Sequence, residues 1–390
     1  MPQEIYLDNA ATTRPHPAVV EAMREVMTVD YGNPSSLHRM GVEAERRIEG
    51  ARAEIAALLG VNPREIVFTS GATEANNLAI RGVASAYRRK GKHLITTQIE
   101  HSSVIEPCRR LQEEGFEVTY LPVDRYGLVD PGSVAEAIGP ETILVSVMAV
   151  NNEVGSIQPI EEIGKIVREA GRKLGRRILF HVDAVQALGK VPLSPNRAGI
   201  DLLSLSGHKI AGPKGVGALF IREGVRLTPL LYGGDQERGL RPGTENVPGI
   251  VGMGVAARLL GETQNAVVPR IRGLRARLLS FLRGHPRIQV NGPPDEQAAP
   301  HILSITAKGV LGEHLVHRLE VDGIYVSTGS ACHSRRAEPS HVLLAMGLTR
   351  EEALSTIRIS FGYETTEEDV EVAGQAILQA VDELASLKIL

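Results

Sequence analysis

The sequence predicts an α/β protein: a large domain with a mostly parallel, seven-stranded sheet covered by helices, joined to a smaller α+β domain. Two observations carry this. Short β-branched apolar runs alternate with amphipathic helical patterns through the first two thirds of the chain, and that alternation gives way after Thr244 to a long helical stretch with fewer strands. The candidate strands are Ile66–Thr69, Leu94–Thr97, Val118–Leu121, Ile143–Met148, Ile178–Val182, Leu202–Leu205 and Val216–Ile221. Between them lie helical patterns. One such pattern, ahead of the first run, places Ile48, Ala51, Ile55, Leu58 and Leu59 on one face at spacings of three and four. Strands connected through helices run parallel and are buried on both faces.

Beyond Thr244 the helical stretch is expected to run to Arg283, interrupted at Val268 and Pro269. A Pro/Gly-rich link, Asn291-Gly292-Pro293-Pro294, follows. Three further strands are expected at Ile302–Thr306, Ile324–Val326 and Thr356–Phe361. A closing helix carries Val370, Ala373, Ile377, Val381 and Leu384 on one face. We therefore expect a large domain over residues 15–255 and a small one made of 1–14 with 256–390.

Bulk properties narrow the function. With 390 residues, 43% hydrophobic and 23% charged, the chain has the composition of a globular protein. A net charge of −3 favours neither nucleic acid nor an anionic membrane as direct partner. No run approaches the ~18 apolar residues of a membrane span. The opening residues show neither a basic nor an apolar signal region, so a cytoplasmic location is expected. Two cysteines, Cys108 and Cys332, are too few for a disulfide framework or a cysteine-rich metal site.

In open α/β sheets ligands gather beyond the carboxyl ends of the strands, and polar residues occupy those places here. Ser70-Gly71-Ala72-Thr73-Glu74 opens a helix after the first run, an anion cup or a plain N-cap. His101 follows the second run, Asn152 the fourth, Asp183 and Gln186 the fifth. Lys209 follows the sixth, inside Ser206-Gly207-His208-Lys209. Each alone is a surface, capping or turn residue as readily as a functional one. Together they occupy one sheet edge and supply what pyridoxal 5′-phosphate needs: an anion cup, a lysine that can join an aldehyde, and a carboxylate for a pyridine nitrogen.

On these residues the chain resembles the cysteine desulfurases, a branch of the class V aminotransferases with the large pyridoxal-phosphate fold called fold type I. The resemblance runs nearly end to end, through YLDNAATT at 6–13, GNPSSLH at 32–38, GATEANN at 71–77, EHSSV at 100–104, VNNEVG at 150–155, HVDAVQ at 181–186, SGHK at 206–209, RPGTENV at 241–247, SACHS at 330–334 and IRISFG at 357–362. It implies that Lys209 holds the cofactor aldehyde and shuttles protons, that Asp183 faces the ring nitrogen, and that Gln186 meets the phenolic oxygen. His101 would stack on the ring. Ala72, Thr73, Ser206 and His208 would hold the phosphate, with Thr244 reaching that of a neighbouring subunit in a homodimer. Asn152 and Arg358 would bind the substrate carboxylate.

The same resemblance makes Cys332 the sulfur-accepting nucleophile, which takes sulfur from L-cysteine and leaves L-alanine. The segment Ser327–Ser340 is rich in Ser, Gly and basic residues and reads as a mobile loop, with His333, Arg335 and Arg336 favouring the reactive thiolate. Cys108, beside Pro107 in a helical segment, reads as structural. Acceptors would be an iron–sulfur scaffold or a tRNA-thiolation enzyme. Two other functions share the cofactor set, a selenocysteine lyase and a plain class V aminotransferase, and a third is a non-catalytic sulfur relay.

Overall fold

The computed structural model of the chain describes residues 4–294, 297–329 and 338–387, and strands and helices alternate where the apolar runs place them. The first part holds β1 (Ile5–Tyr6), α1 (Pro17–Thr28), α2 (Arg39–Leu59), β2 (Ile66–Thr69), α3 (Ala72–Tyr87), β3 (His93–Thr97), α4 (Ser102–Glu113), β4 (Glu117–Leu121) and α5 (Pro131–Ala137). Next come β5 (Thr142–Met148), α6 (Ile160–Lys173), β6 (Leu179–Asp183), α7 (Pro195–Ala198), β7 (Leu202–Ser206), β8 (Gly217–Ile221) and α8 (Val247–Leu282). The remainder holds β9 (Ile288–Asn291), β10 (Ile302–Ala307), α9 (Gly312–Val321), β11 (Ile324–Tyr325), α10 (His341–Ala345), α11 (Arg350–Leu354), β12 (Thr356–Ser360) and α12 (Glu367–Ser386).

The main sheet has seven strands in the order β2-β8-β7-β6-β5-β3-β4. Contacts among β4, β3, β5, β6 and β7 are parallel, and only β8 runs against both of its neighbours. Alternate residues of each strand face opposite layers. Phe68, Val145, Phe180, Val182 and Leu205 pack with α2, α6 and the first half of α8. Val67, Leu94, Leu144, Leu179 and Leu219 pack with α3 and α4. Because β2, β3 and β5 to β8 are buried along their length, they read in sequence as continuous apolar runs.

A second core gathers Leu7, Leu278, Leu303, Ile305, Ile357, Ile359, Phe361 and Ile377. Its sheet is antiparallel in the order β12-β10-β9, and β1 pairs in parallel with β11 beside it. Strand β9 falls on the stretch just before the expected link; half-exposed and at a sheet edge, its Ile-Gln-Val-Asn lacks a strong apolar run. Helix α8 differs from expectation in that it runs unbroken through Pro269. Its first half buries Ile250, Met253, Ala256 and Ala257 in one core, and its second half buries Ile271, Leu274, Leu278 and Leu282 in the other. Proline costs a helix interior about 3 kcal/mol, and two anchored ends outweigh that.

A buried ion pair fixes the turn ahead of α8. Arg52 in α2 grips Glu237 through two bonds, Nη1 to Oε2 at 2.9 Å and Nη2 to Oε1 at 2.7 Å. The same carboxylate accepts from the Phe68 amide of β2 at 2.8 Å. Both side chains are almost wholly removed from water. Replacing Glu237 by alanine takes away the buried acid partner of Arg52, which keeps Glu49 and the Ile66 carbonyl as hydrogen-bond partners, and we expect a loss of about 3 kcal/mol. Urea unfolding of the two proteins checks this.

Candidate active site

At the carboxyl edge of the main sheet a cleft of about 510 Å³ opens between the two cores. Strand direction puts the ends of β2, β3, β5, β6 and β7 along it. The cleft is lined by Ala72, Thr73, His101, Asn152, Asp183, Gln186, Ser206, His208, Lys209 and Arg358, so ten of the candidate residues converge. Thr244 is exposed and is not among its lining residues. Cys332 lies outside the described residues, as do His333, Arg335 and Arg336.

The glycines around Lys209 have a steric reason. After β7 the chain enters a tight 3₁₀ turn, Gly207–Lys209, and doubles back so that the Gly207 and Gly212 amides bond to Val216 and Gly207. A Cβ on Gly207 would sit 2.9 Å from the Pro213 carbonyl, and one on Gly212 2.7 Å from that of Gly207. The turn is stitched to the N-terminal segment: the Thr13 amide and hydroxyl both bond to the His208 carbonyl, and the Ala211 amide bonds to Thr13 Oγ1. Lys209 Nζ donates to the carbonyls of Ala10 (2.5 Å) and Ala11 (2.7 Å). Gln186 Nε2 shares the first of these at 2.9 Å.

Asp183 ends β6, and its carboxylate accepts from the Val185 amide at 3.0 Å and from Asn76 Nδ2 at 2.8 Å. Asn76, fully buried in α3, also donates to Ser103 Oγ at 2.8 Å. His101 caps α4, and its Nδ1 accepts from the Ser103 amide at 3.1 Å. One asparagine thus sets the carboxylate and the imidazole relative to each other. Arg358, 2% exposed on β12, donates to the Asn152 carbonyl at 2.9 Å and to Asp8 at 2.7 Å. Its Nε has no partner among the described residues.

Asn76 and Asp8 carried no role in the sequence reading. The signal for Asn76 was an amide among Ala75, Leu78 and Ala79 on a buried helical face. Asp8 pairs with an arginine 350 positions away, which no local pattern reveals. His341 is also new to the site: it lines the cleft and its Nε2 lies 3.0 Å from the Glu100 carbonyl.

The groups fit a phosphorylated ring. Helix α3 begins at Gly71 with no side-chain cap, which leaves first-turn amides and the positive dipole end at the cleft. Around the cleft stand His208, Lys209 and Lys214. Burial, reinforced by Lys209, pushes His208 down to about 4, so it is a neutral hydrogen-bonding group. Deeper in, buried Asp183 matches a ring nitrogen. This fold and site define a pyridoxal-phosphate-dependent enzyme.

Comparison with known proteins narrows the class. A family model described as aminotransferase class-V matches residues 5–372. A cysteine desulfurase IscS of Methanosarcina thermophila is 48% identical over 383 residues, covering 98% of this chain and 93% of its own. Its namesake from Dictyoglomus turgidum is 44% identical over 388 residues, covering 99% and 97%. Among solved structures, a NifS-like protein superposes with a TM-score of 0.90 at 41% identity, covering 99% of this chain and all of its own. One from Rickettsia africae gives 0.85 at 33%, covering 97% and 100%. The chain belongs to the class V aminotransferase family, in its cysteine desulfurase branch, and its cofactor is pyridoxal 5′-phosphate.

Behind His101 sits Glu100, wholly buried, whose Oε1 accepts from Thr97 Oγ1 at 2.9 Å and from the Met148 amide at 2.8 Å. These bonds tie the ends of β3 and β5 under the cleft. Burial pushes the carboxyl up to about 8. The folded state holds this proton up to about pH 8, and the unfolded chain releases it near 4.5. The folded state therefore binds more protons between those values, and stability falls as pH rises across that window. In Glu100→Gln that part of the slope should vanish, a difference read by urea unfolding at a series of pH values.

Proposed function

We propose that the chain removes sulfur from L-cysteine, releases L-alanine and passes the sulfur, held on Cys332, to acceptor proteins. The reading is supported chiefly by Lys209, Asp183, His101 and Arg358 meeting in one cleft of a chain nearly half identical to a cysteine desulfurase. The bound cofactor supplies an electron sink for the substrate's α-carbon. Arg358, steadied by Asp8 and the Asn152 carbonyl, binds the substrate carboxylate together with Asn152. Lys209 Nζ, carried on a turn hydrogen-bonded to Thr13, moves the proton at the α-carbon and then at the β-carbon. His101 Nε2 assists, with Nδ1 committed to Ser103. Gln186 and Asp183 hold the ring's oxygen and nitrogen, and Ala72, Thr73, Ser206 and His208 the phosphate.

The chain has two cysteines. Cys108 is buried in α4, and burial pushes its thiol up to about 12, far from the reactive thiolate. Sulfur capture then falls to Cys332. Its thiolate attacks the substrate sulfur, an S–S bond forms and the C–S bond breaks. The β-carbon keeps the electron pair, takes a proton and leaves as alanine.

The active unit in this reading is a homodimer with Thr244 completing the neighbour's phosphate site. Exposed Tyr31, Leu37 and Tyr232 supply apolar surface for such a contact. Residues 15–255 act as the cofactor domain, and 1–14 with 256–390 as the smaller one. The sulfur acceptors are an iron–sulfur scaffold or a tRNA-thiolation enzyme, the compartment is cytoplasmic, and neither nucleic acid nor membrane is a direct partner. Among the described residues no helix is long and apolar enough to cross a membrane.

Cofactor-loaded protein given L-cysteine should yield alanine, and mass spectrometry should find extra sulfur on Cys332 and none on Cys108. Cys332→Ser should abolish both products. Retained turnover of an amino acid with a keto acid in that variant would instead identify an aminotransferase. Lys209→Ala should lose the cofactor's visible band bound to the lysine.

A further inference from the structure

A second cavity, about 220 Å³, lies behind Lys209 where the two cores meet. Its wall is mostly apolar: Ile210 and Ala256 come from one core, Ile271 and Phe361 from the other, with Leu259 and Leu260 of α8 between them. An apolar cavity of ~150 Å³ already holds a benzene ring. Polar side chains also reach this wall, among them Asn9, Thr13, Thr263 and Tyr363, and two others, Lys190 and His301, sit behind the Lys209 turn.

His301 is 1% exposed, and its Nδ1 has no partner among the described residues. Its other nitrogen fixes what Nδ1 needs. Gln186 Nε2 donates to the Ala10 carbonyl, so the amide oxygen is the end that faces His301 Nε2 at 3.1 Å. Nε2 must carry the hydrogen. Burial holds the ring well below its usual titration range, so it is neutral and Nδ1 is a bare acceptor. Lys190 Nζ donates to the Lys209 carbonyl at 3.0 Å and, charged or neutral, keeps at least one further N–H bond to give.

These bonds form an open chain. His301 bonds to Gln186, and Gln186 bonds to the Ala10 carbonyl, which also accepts from Lys209 Nζ. The Lys209 carbonyl in turn accepts from Lys190. His301 and Lys190, which carry the two loose ends, an acceptor and a donor, both line the cavity. We propose that this cavity is a second small-molecule site, taking a neutral apolar molecule with one hydroxyl, a phenol or branched alcohol, whose O–H donates to His301 Nδ1 and whose oxygen accepts from Lys190. A carboxylate offers Nδ1 no hydrogen, and an ammonium would lie against Lys190. Occupancy engages Gln186 through His301 and the Lys209 main chain through Lys190, links that do not use Lys209 Nζ, and so couples the site to the cleft. Nothing in it depends on the desulfurase reading.

Titration calorimetry of the cofactor-loaded enzyme tests it, with phenol as probe and toluene and anisole as controls that cannot donate. Phenol should saturate one site per chain, and both controls should bind at least about tenfold more weakly, because they leave a buried acceptor unpaired. Ala256→Leu, which fills the cavity, should remove phenol binding while keeping the wild-type melting temperature and cofactor band. Should that variant not fold, His301→Phe should weaken phenol at least about tenfold and leave toluene unchanged. Absence of saturation, equal binding of phenol and toluene, or phenol binding unaltered by either substitution would overturn the proposal.

Discussion

The cleft depends on a short segment, Asp8 to Thr13, that crosses between the two cores and is hydrogen-bonded to both. On one side Asp8 pairs with Arg358, and Asn9 and Ala10 bond to Ser360. On the other, the Ala10 carbonyl accepts from Lys209 and Gln186, and Thr13 ties down the turn that carries His208 and Lys209. Arg358 and Lys209 stand on different sheets, so nothing within either sheet sets their separation. The segment does. A lysine that moves a proton and an arginine that holds a carboxylate must agree to within a fraction of an ångström, and a stretch bonded at both ends supplies that register.

The second constraint is charge. Lys209, Lys214 and Arg358 line the cleft together with Glu74, Glu153 and Asp183, and the field of Lys209, Lys214 and Lys190 helps hold His208 uncharged. Burial together with Lys209 brings Lys190 down to about 7. A phosphate at the uncapped start of α3 and a substrate carboxylate at Arg358 are the two anions these groups can receive. Asp183 belongs to the opposite problem: a buried acid held by an amide side chain and a backbone N–H, where a ring nitrogen is the complementary group.

Much of this was legible from the residues alone, for a physical reason. Central strands of a parallel sheet are apolar on both faces, so β2 to β8 stand out in sequence within a residue or so of their observed bounds. The residues that follow them must line the same edge, which is how His101, Asp183 and Lys209 were singled out. What escaped was whatever depends on distant partners. Strand β1 is two residues long and exists because β11, over three hundred residues later, offers its edge. Strand β9 is a half-exposed edge. Pro269 looked like a break because propensity is local, yet α8 is held by two cores that no window of sequence contains.

Its two cysteines show the same limit from the side of chemistry. Thiol reactivity follows the thiolate, and burial among Val104, Leu111 and the strands beneath α4 removes Cys108 from that role. Composition near Cys108 hinted at this, but only packing explains it: the thiol faces a layer in which the nearest acid, Glu100, itself keeps its proton to about 8. Two acidic groups that stay largely protonated at neutral pH lie behind the cleft, and Lys209, Lys214 and Arg358 line it. The sheet edge that collects ligands is thus also the place where lysine and arginine side chains meet an uncapped helix start, a field that favours incoming anions.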